Sequence, residues 1–269
     1  MIRHPAVAGQ FYPASPTDLK RMLHELMEAD SPPIQDQAIA VVSPHAGYIY
    51  SGGVAGETFA KVIVPENVIL IGPNHHGLGA PIALMSEGVW EMPMGAVDIN
   101  QDLADCILQT TPGAINDHLS HRYEHSLEVQ IPFLQIKQER LTIVPLVVSH
   151  LSLETCLACG KSIATAIKAF GKPVLLVASS DMTHYESREI AQEKDTLALN
   201  HLLRLDPEGL FQTVRSQRIS MCGVIPTTIV IAAALALGGK ATELIRYTDS
   251  GEASGDLNRV VGYAGVIIS

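Results

Sequence analysis

The segment VLLVASSDMTH, residues 174–184, decides the fold class. Its first five residues are continuously apolar and lack the alternation of a half-exposed strand. They therefore predict a strand that is buried on both faces, as in a parallel or mixed sheet covered by helices. The run then passes directly into Ser179, Ser180, Asp181 and His184. In open α/β sheets, ligands bind beyond the carboxyl ends of the strands, so this junction is a candidate binding site.

Other segments repeat the pattern of a continuous apolar run that leads into polar residues. They are residues 38–42 before Pro44-His45-Ala46-Gly47-Tyr48, residues 68–71 before Gly72-Pro73-Asn74-His75-His76, and residues 141–148 before Ser149-His150. Residues 242–247 and 260–268 are predicted to be closing strands. Together these runs predict a sheet made mostly of buried strands.

Helical patterns lie between the predicted strands. Residues 17–30 form one. Ser152 is a predicted N-cap of a helix that ends at Gly171, and Asp206-Pro207 is an N-cap followed by a proline in the first turn. Residues 224–237 are apolar almost all round and predict a buried helix. The alternation of strands and helices indicates the α/β class.

Composition narrows the class of protein further. At about 150 residues per domain, the 269 residues suggest one or two domains, and one large α/β domain fits equally well. Hydrophobic residues make up 47% of the chain and charged residues 17%, so we expect a packed core. The net charge of −10 argues against a nucleic-acid-binding surface.

The cysteine count and the apolar runs predict a cytoplasmic protein. The four cysteines are too few for a disulfide-stapled fold of this length, and the first residues lack the apolar stretch of a signal peptide. The longest apolar run, residues 229–237, is shorter than the roughly 20 residues that span a bilayer. We therefore expect no membrane partner.

Reactive side chains are concentrated after the predicted strands. His45, His75, Asp181 and His184 all follow apolar runs shortly after they end. Imidazoles and a carboxylate from separate strand ends can build a metal site with open coordination positions. The alternative for any single histidine is an ordinary polar residue near a strand end, but the set as a whole favours a site.

Cys222 lies just before the predicted helix 224–237, where the helix dipole favours a thiolate. It is therefore a candidate soft metal ligand or redox-active thiol; the alternative is a small buried apolar residue. Cys156 and Cys159 form a C-x-x-C inside a predicted helix, beside an apolar stripe. Their position predicts core packing, because a redox motif needs a strand-to-helix junction.

Residues 121–125, HRYEH, match the H-x-x-E-H motif of inverted zincins. On a helix, His121 and His125 would share one face, yet no clear third ligand follows. We prefer an interpretation in which His125 faces the main pocket and is oriented by Glu124 or Glu128.

Taken together, the motifs resemble the signature blocks of the Memo family. The blocks are Ala8-Gly9-Gln10-Phe11-Tyr12-Pro13, Pro44-His45-Ala46-Gly47-Tyr48, Gly72-Pro73-Asn74-His75-His76, Glu124-His125-Ser126-Leu127-Glu128, Ser179-Ser180-Asp181 with His184, and Cys222-Gly223. Residues 90–98, 254–256 and 261–263 resemble the bacterial and archaeal branch. The blocks keep the family order and cover nearly the whole chain.

This resemblance implies a single domain over residues 1–269, with a central mixed, largely parallel sheet flanked by helices. The implied fold is that of the class III extradiol dioxygenases, which are non-haem iron enzymes. It also implies a metal site at His45, His75 and Cys222. Asp181, His184 and His125 match pocket residues and are the candidate catalytic groups.

A thiolate in the third position departs from the two histidines and one carboxylate of the dioxygenases. Sulfur favours copper(I), zinc or a redox-altered iron, and it weakens the expectation of ring cleavage. The predicted function is therefore a non-haem iron or copper redox or metal-handling protein of unknown substrate. The alternative is a non-enzymatic module that binds a peptide or partner in a degenerate dioxygenase-like pocket. The resemblance further implies a radical-SAM protein and an AMMECR-type protein as partners.

Overall fold

The computed structural model describes residues 1–28 and 38–269. The strands in these ranges are β1 (Ile2–Arg3), β2 (Ala40–Ser43), β3 (Asn67–Pro73), β4 (Ile82–Leu84), β5 (Val89–Trp90), β6 (Val97–Ile99), β7 (Ala114–Asn116), β8 (Thr142–Val148), β9 (Val174–Ser179), β10 (His184–Glu186), β11 (Thr242–Asp249) and β12 (Val260–Ile268). The helices are α1 (Pro16–Leu26), α2 (Tyr48–Ala60), α3 (Gln101–Thr110), α4 (Ile131–Lys137), α5 (Leu153–Phe170), α6 (Arg188–Leu202), α7 (Pro207–Ser216), α8 (Val224–Leu237) and α9 (Gly251–Ser254).

The strands form one mixed sheet with the order β1-β5-β6-β8-β3-β9-β2-β12-β10 along its main path. Its centre is parallel, since β3 pairs in parallel with β8 and β9, and β9 pairs in parallel with β2. β12 runs antiparallel to β2 and closes this side of the sheet together with β11. The predicted α/β fold with a mixed, largely parallel sheet is confirmed.

Helices cover both faces of the sheet. Alternate residues of β3 point to opposite sides, so that Ile69 and Ile71 join one apolar cluster while Val68 and Leu70 join the other. The first cluster contains residues of α3, α5, α6, α7 and α8, and the second contains residues of α1, α2 and α4. Burial on both faces explains why the central strands are continuously apolar.

The helix ends follow the local sequence signals. The Ser152 hydroxyl accepts a hydrogen bond from the Thr155 N–H at 3.1 Å, and Gly171 ends α5 in the left-handed conformation at φ 70°. The Asp206 carboxylate accepts from the Gly209 N–H at 2.8 Å and caps α7. The helix predicted over residues 17–30 is observed as α1, but it ends at Leu26 with Met27 as its C-cap, earlier than predicted; Asp30 itself lies outside the described residues.

Cys156 and Cys159 are buried in the core on α5, which packs against α8 and α3. Burial raises the pKa of Cys156 to about 11 and that of Cys159 to about 12, so both thiols stay protonated at neutral pH. The predicted packing role of this C-x-x-C is confirmed.

Close packing of α5 on α8 depends on Gly160. A Cβ at this position would lie 2.5 Å from the Ile229 carbonyl oxygen and 2.7 Å from the Ala232 Cβ. We expect Gly160→Ala to lower the free energy of unfolding by about 1–3 kcal/mol in urea denaturation, because overpacking outweighs the better helix propensity of alanine.

Gly53→Ala is the matched control. The nearest atom to a Cβ there is the flexible Arg246 Nη1 at 3.3 Å, so the propensity gain should dominate and leave α2 unchanged or more stable. Equal losses of stability in the two variants would contradict the steric explanation.

No helix in the described part of the chain is long and apolar enough to cross a membrane.

Candidate metal centre

The central strands bring three predicted site residues to one edge of the sheet. β3, β9 and β2 are adjacent and parallel, so their carboxyl ends lie side by side. His75 follows the last residue of β3 by two positions, and Asp181 and His45 stand in the same relation to β9 and β2. The predicted convergence at the strand ends therefore follows from the register of the sheet.

His125 completes a cluster of three imidazoles with His45 and His75. One nitrogen of each ring lies within 4.8 Å of those of the other two, a spacing that could hold a metal ion. The His75 and His125 rings stack with their centroids 4.6 Å apart, and the His45 ring lies edge-on to both, at 5.1 and 5.6 Å. His125 comes from the segment between two short 3₁₀ turns, Leu119–His121 and Glu128–Gln130.

Hydrogen bonds fix the tautomer of His45. The Ser179 hydroxyl donates its only proton to the Ser126 carbonyl oxygen at 2.6 Å and accepts from Gln130 Nε2 at 2.9 Å. His45 Nδ1, also 2.9 Å from this hydroxyl, must therefore donate to it. The lone pair is then on His45 Nε2. Burial and the neighbouring His75 lower the pKa of His45 to about 3, so the ring is neutral at pH 7.

Glu124 fixes His75 in the same way. The carboxylate is fully buried, accepts from the His75 N–H at 2.7 Å and from His75 Nδ1 at 2.8 Å, and also accepts from the Ser126 N–H at 2.9 Å. In the neutral form of His75, the lone pair is therefore on Nε2. Burial alone would lower the pKa of His75, but the hydrogen bond and charge of Glu124 raise it. Burial alone would raise the pKa of Glu124. The hydrogen bond from His75 outweighs this effect and holds the pKa of the carboxyl group well below its usual range.

Cys222 contacts the imidazole cluster at His45. Its Sγ lies 3.2 Å from His45 Nε2 and accepts a hydrogen bond from the Asp181 N–H at 3.3 Å. The Asp181 carboxylate accepts from the His45 N–H at 2.7 Å, so all three residues are held together. Burial raises the pKa of Asp181, and burial together with the Asp181 charge raises the pKa of Cys222.

His184 lies at the start of β10, beside the segment that carries Cys222. Its N–H donates to the Ser220 hydroxyl at 2.7 Å, and its Nδ1 donates to the Ser220 carbonyl oxygen at 2.9 Å. A carbonyl only accepts, so His184 also presents a free Nε2. Electrostatic interaction with the His184 ring contributes to lowering the pKa of His45 and opposes the rise in the pKa of Asp181, which places His184 near the cluster but outside the three grouped imidazoles.

The H-x-x-E-H segment forms no zincin pair, in line with the preferred interpretation, but the predicted orientation of His125 by Glu124 or Glu128 is wrong. Residues 119–121 form a 3₁₀ turn and not an α-helix, and the fully buried His121 packs edge-on against Trp90, with ring centroids 6.0 Å apart. A zincin-like pair with His125 is therefore absent. Glu124 forms its hydrogen bond with His75, while its oxygen lies 3.6 Å from His125 Nδ1, and Glu128 binds the N-terminal segment instead.

No role is predicted from the sequence for Gln130 or Ser126, which hold Ser179 and Glu124 in place. Glutamine and serine have no spacing that marks them as supports of a histidine. The position of Ser179 after a predicted strand marked it as a candidate site residue, but it did not indicate that Gln130 and Ser126 would be its hydrogen-bond partners.

Fold and site together define an α/β protein with an imidazole-lined candidate metal centre at the carboxyl edge of its sheet. A family model described as Memo-like protein matches residues 3–267. The chain belongs to this family, and the resemblance of its motifs is confirmed.

Relatives that are about 40% identical to this chain come from both archaea and bacteria. MEMO1 family proteins of Pyrobaculum arsenaticum and Methanopyrus kandleri are 41% and 40% identical, over 99% of this chain and 98% and 99% of their own lengths. A MEMO1 family protein of Aquifex aeolicus is 40% identical over 99% of this chain and 98% of its own length. The crystal structure of an uncharacterized protein from Escherichia coli K12 has a TM-score of 0.58 at 13% identity, covering 87% of this chain and 100% of that one, which supports the fold alone.

Proposed function

We propose that this protein binds one iron or copper ion at His45, His75 and Cys222 and acts in redox chemistry or metal handling. The observation that carries the proposal is the pair of fixed tautomers. Ser179 and Glu124 hold the two Nδ1–H groups, so in the neutral rings both lone pairs are on Nε2, and that of His45 faces Cys222 Sγ. Such support of ligand histidines from behind is typical of protein metal sites.

The donor set fits such an ion. Imidazole suits iron, copper and zinc, and a thiolate shifts the preference towards copper(I) or zinc. The 3.2 Å between Cys222 Sγ and His45 Nε2 is close to the roughly 3.5 Å expected for sulfur and nitrogen bound to one tetrahedral ion. The group of ligand atoms that all lie within 4.8 Å of one another contains His125 and not Cys222, so Cys222 Sγ would have to move towards His75 to complete the set. The ion would supply Lewis acidity or electron transfer.

His125 is better suited to a proton-transfer role than to ligation. Its ring stacks on His75, yet its Nδ1 is 3.6 Å from the nearest Glu124 oxygen, beyond hydrogen-bond distance. His125 therefore lacks the fixed orientation that His45 and His75 have. Burial and the neighbouring His45 lower its pKa to about 4, so the ring is neutral at pH 7 and has a lone pair that can accept a proton from an acidic group. Asp181 and His184 line the same space and would hold or relay that proton.

Replacing Cys222 and His125 separately tests this ligand set. Metal-free wild type should bind one copper(I) ion per chain in competition with a chromophoric chelator. Cys222→Ser should weaken copper(I) binding by more than about a hundredfold, because it removes the soft ligand, whereas His125→Ala should change it by less than about tenfold.

The reverse ranking would contradict the assignment and favour a ligand set of three histidines. If wild type bound none of iron(II), copper(I) and zinc(II), the metal proposal would fall. A metal-independent binding module would then be the better explanation, and a partner peptide would raise thermal stability equally with and without chelator.

A further inference from the structure

A cavity of about 690 Å³ lies apart from the metal centre. It is formed by the N-terminal segment with β1, by Met85, and by the segment around the first 3₁₀ turn. The lining residues are Met1, Ile2, Arg3, His4, Pro5, Ala6, Met85, His118, Leu119, Arg122 and Tyr123. Its volume falls within the range of about 300–1,000 Å³ that is usual for small-molecule pockets.

The walls of this cavity expose large apolar side chains. Ile2 is 54% exposed, Leu119 49% and Tyr123 50%, although they come from two distant parts of the sequence. Met85, which is buried, contributes to the lining between them. Single exposed apolar residues are common in proteins, but a group of them around one concavity marks a binding surface.

The described residues of the lining include basic side chains but no carboxylate. Arg3, His4, His118 and Arg122 line the cavity and no aspartate or glutamate does, in a chain whose net charge is −10. Arg3 is committed to Glu128, and His4 Nδ1 lies 2.6 Å from a Glu91 oxygen.

Arg122 differs from Arg3, whose side chain is paired with Glu128. Across residues 1–28 and 38–269, no carboxylate forms a salt bridge with it, and its guanidinium carbon lies 5.1 Å from the centroid of the Tyr123 ring. A guanidinium held against an aromatic ring keeps its donors available for an anion.

We propose that this cavity binds a small organic anion with an apolar body. The anionic group would pair with Arg122, and the apolar body would cover Ile2, Met85 and Leu119. The metal ligands are not part of the lining, so the site is separate from the proposed metal centre. It adjoins that centre along the chain, since Arg122 and Tyr123 directly precede Glu124 and His125.

Octanoate is a suitable probe, with 1-octanol and acetate as partial probes that lack the charge or the apolar body. Calorimetry on the full-length, chelator-treated protein should show one saturable site for octanoate, and neither partial probe should compete measurably. Arg122→Gln should weaken octanoate binding by about tenfold, because it removes a charge-assisted contact at a partly exposed position.

Arg21→Gln is the matched control, since Arg21 is an exposed arginine on α1 outside the cavity, and it should leave binding unchanged. Binding that persists in His75→Ala would show that this site is independent of the metal centre, whatever the fate of the metal proposal. Absence of a saturable site for octanoate, or equal affinity in wild type and Arg122→Gln, would overturn the proposal.

Discussion

Replacing Glu128 with alanine should lower the free energy of unfolding by about 3–5 kcal/mol, because it leaves a buried charge without its partner. Glu128 is fully buried and Arg3 is 5% exposed. Their side chains form a salt bridge that ties the N-terminal segment to the second 3₁₀ turn. Removing one member of such a pair costs far more than the net contribution of the intact pair.

Three further donors depend on the same carboxylate. The Ala6 N–H donates to Oε2 at 2.8 Å, the Val7 N–H donates to Oε1 at 3.0 Å, and the Tyr12 hydroxyl donates to Oε1 at 2.6 Å. Alanine would leave these groups unsatisfied in a buried environment, and each unsatisfied group adds to the cost. Glu128→Gln keeps the shape and one acceptor, so its loss of stability should be smaller than that of Glu128→Ala.

Glu66→Ala is the control for this measurement. Glu66 pairs with Arg140 at the surface, where the Arg140 side chain is 81% exposed and the Glu66 side chain 45%. Exposed pairs contribute about 0–1 kcal/mol, so this variant should unfold at nearly the wild-type urea concentration. A loss of less than about 1 kcal/mol for Glu128→Ala would contradict the role assigned to the buried pair.

The elements that could be predicted are those with signals inside their own residues. The run 174–178 is apolar because both faces of β9 are covered, and Ser152 and Gly171 mark the ends of α5 by hydrogen bonding and backbone conformation. Each signal acts over a few residues and needs no knowledge of the tertiary fold.

Helix α2, by contrast, is not predicted, because three of its residues are glycines, which disfavour a helix interior. Their purpose is visible only in the packing. A Cβ at Gly56 would lie 2.2 Å from the Leu26 carbonyl oxygen, and one at Gly52 would lie 2.9 Å from Leu26 Cδ1. The close approach of α1 outweighs the local propensity.

In the candidate site, too, some residues could be placed from the sequence and others could not. His45 and His75 could be placed because strand ends meet at one edge of a parallel sheet. The hydrogen-bond partner of Glu124 could not be predicted, because the segment from Leu119 to Gln130 contains two 3₁₀ turns and has no hydrophobic period. The path of this segment brings Glu124 to His75 rather than to its neighbour His125.

The largest effect on metal binding should come from His75→Ala. Removing a group that only orients a ligand typically weakens metal binding about 10–100-fold, so loss of the ligand itself should exceed about a hundredfold. The variant also removes the hydrogen bond from the imidazole Nδ1 to the buried Glu124 carboxylate, so the free energy of unfolding of the metal-free protein should fall as well. Copper(I) competition with a chelator measures the first effect, and urea unfolding of the metal-free protein measures the second.

His76→Ala is the matched control, since it removes the adjacent, exposed imidazole, whose ring lies 6.3 Å from that of Tyr123 and outside the cluster. Its affinity for copper(I) should equal that of wild type. Glu124→Gln should lie between the two, because the amide can still accept from His75 Nδ1 but no longer carries the charge that strengthens this bond. Should His75→Ala and His76→Ala bind copper(I) equally well, the free Nε2 of His75 would have no part in the site.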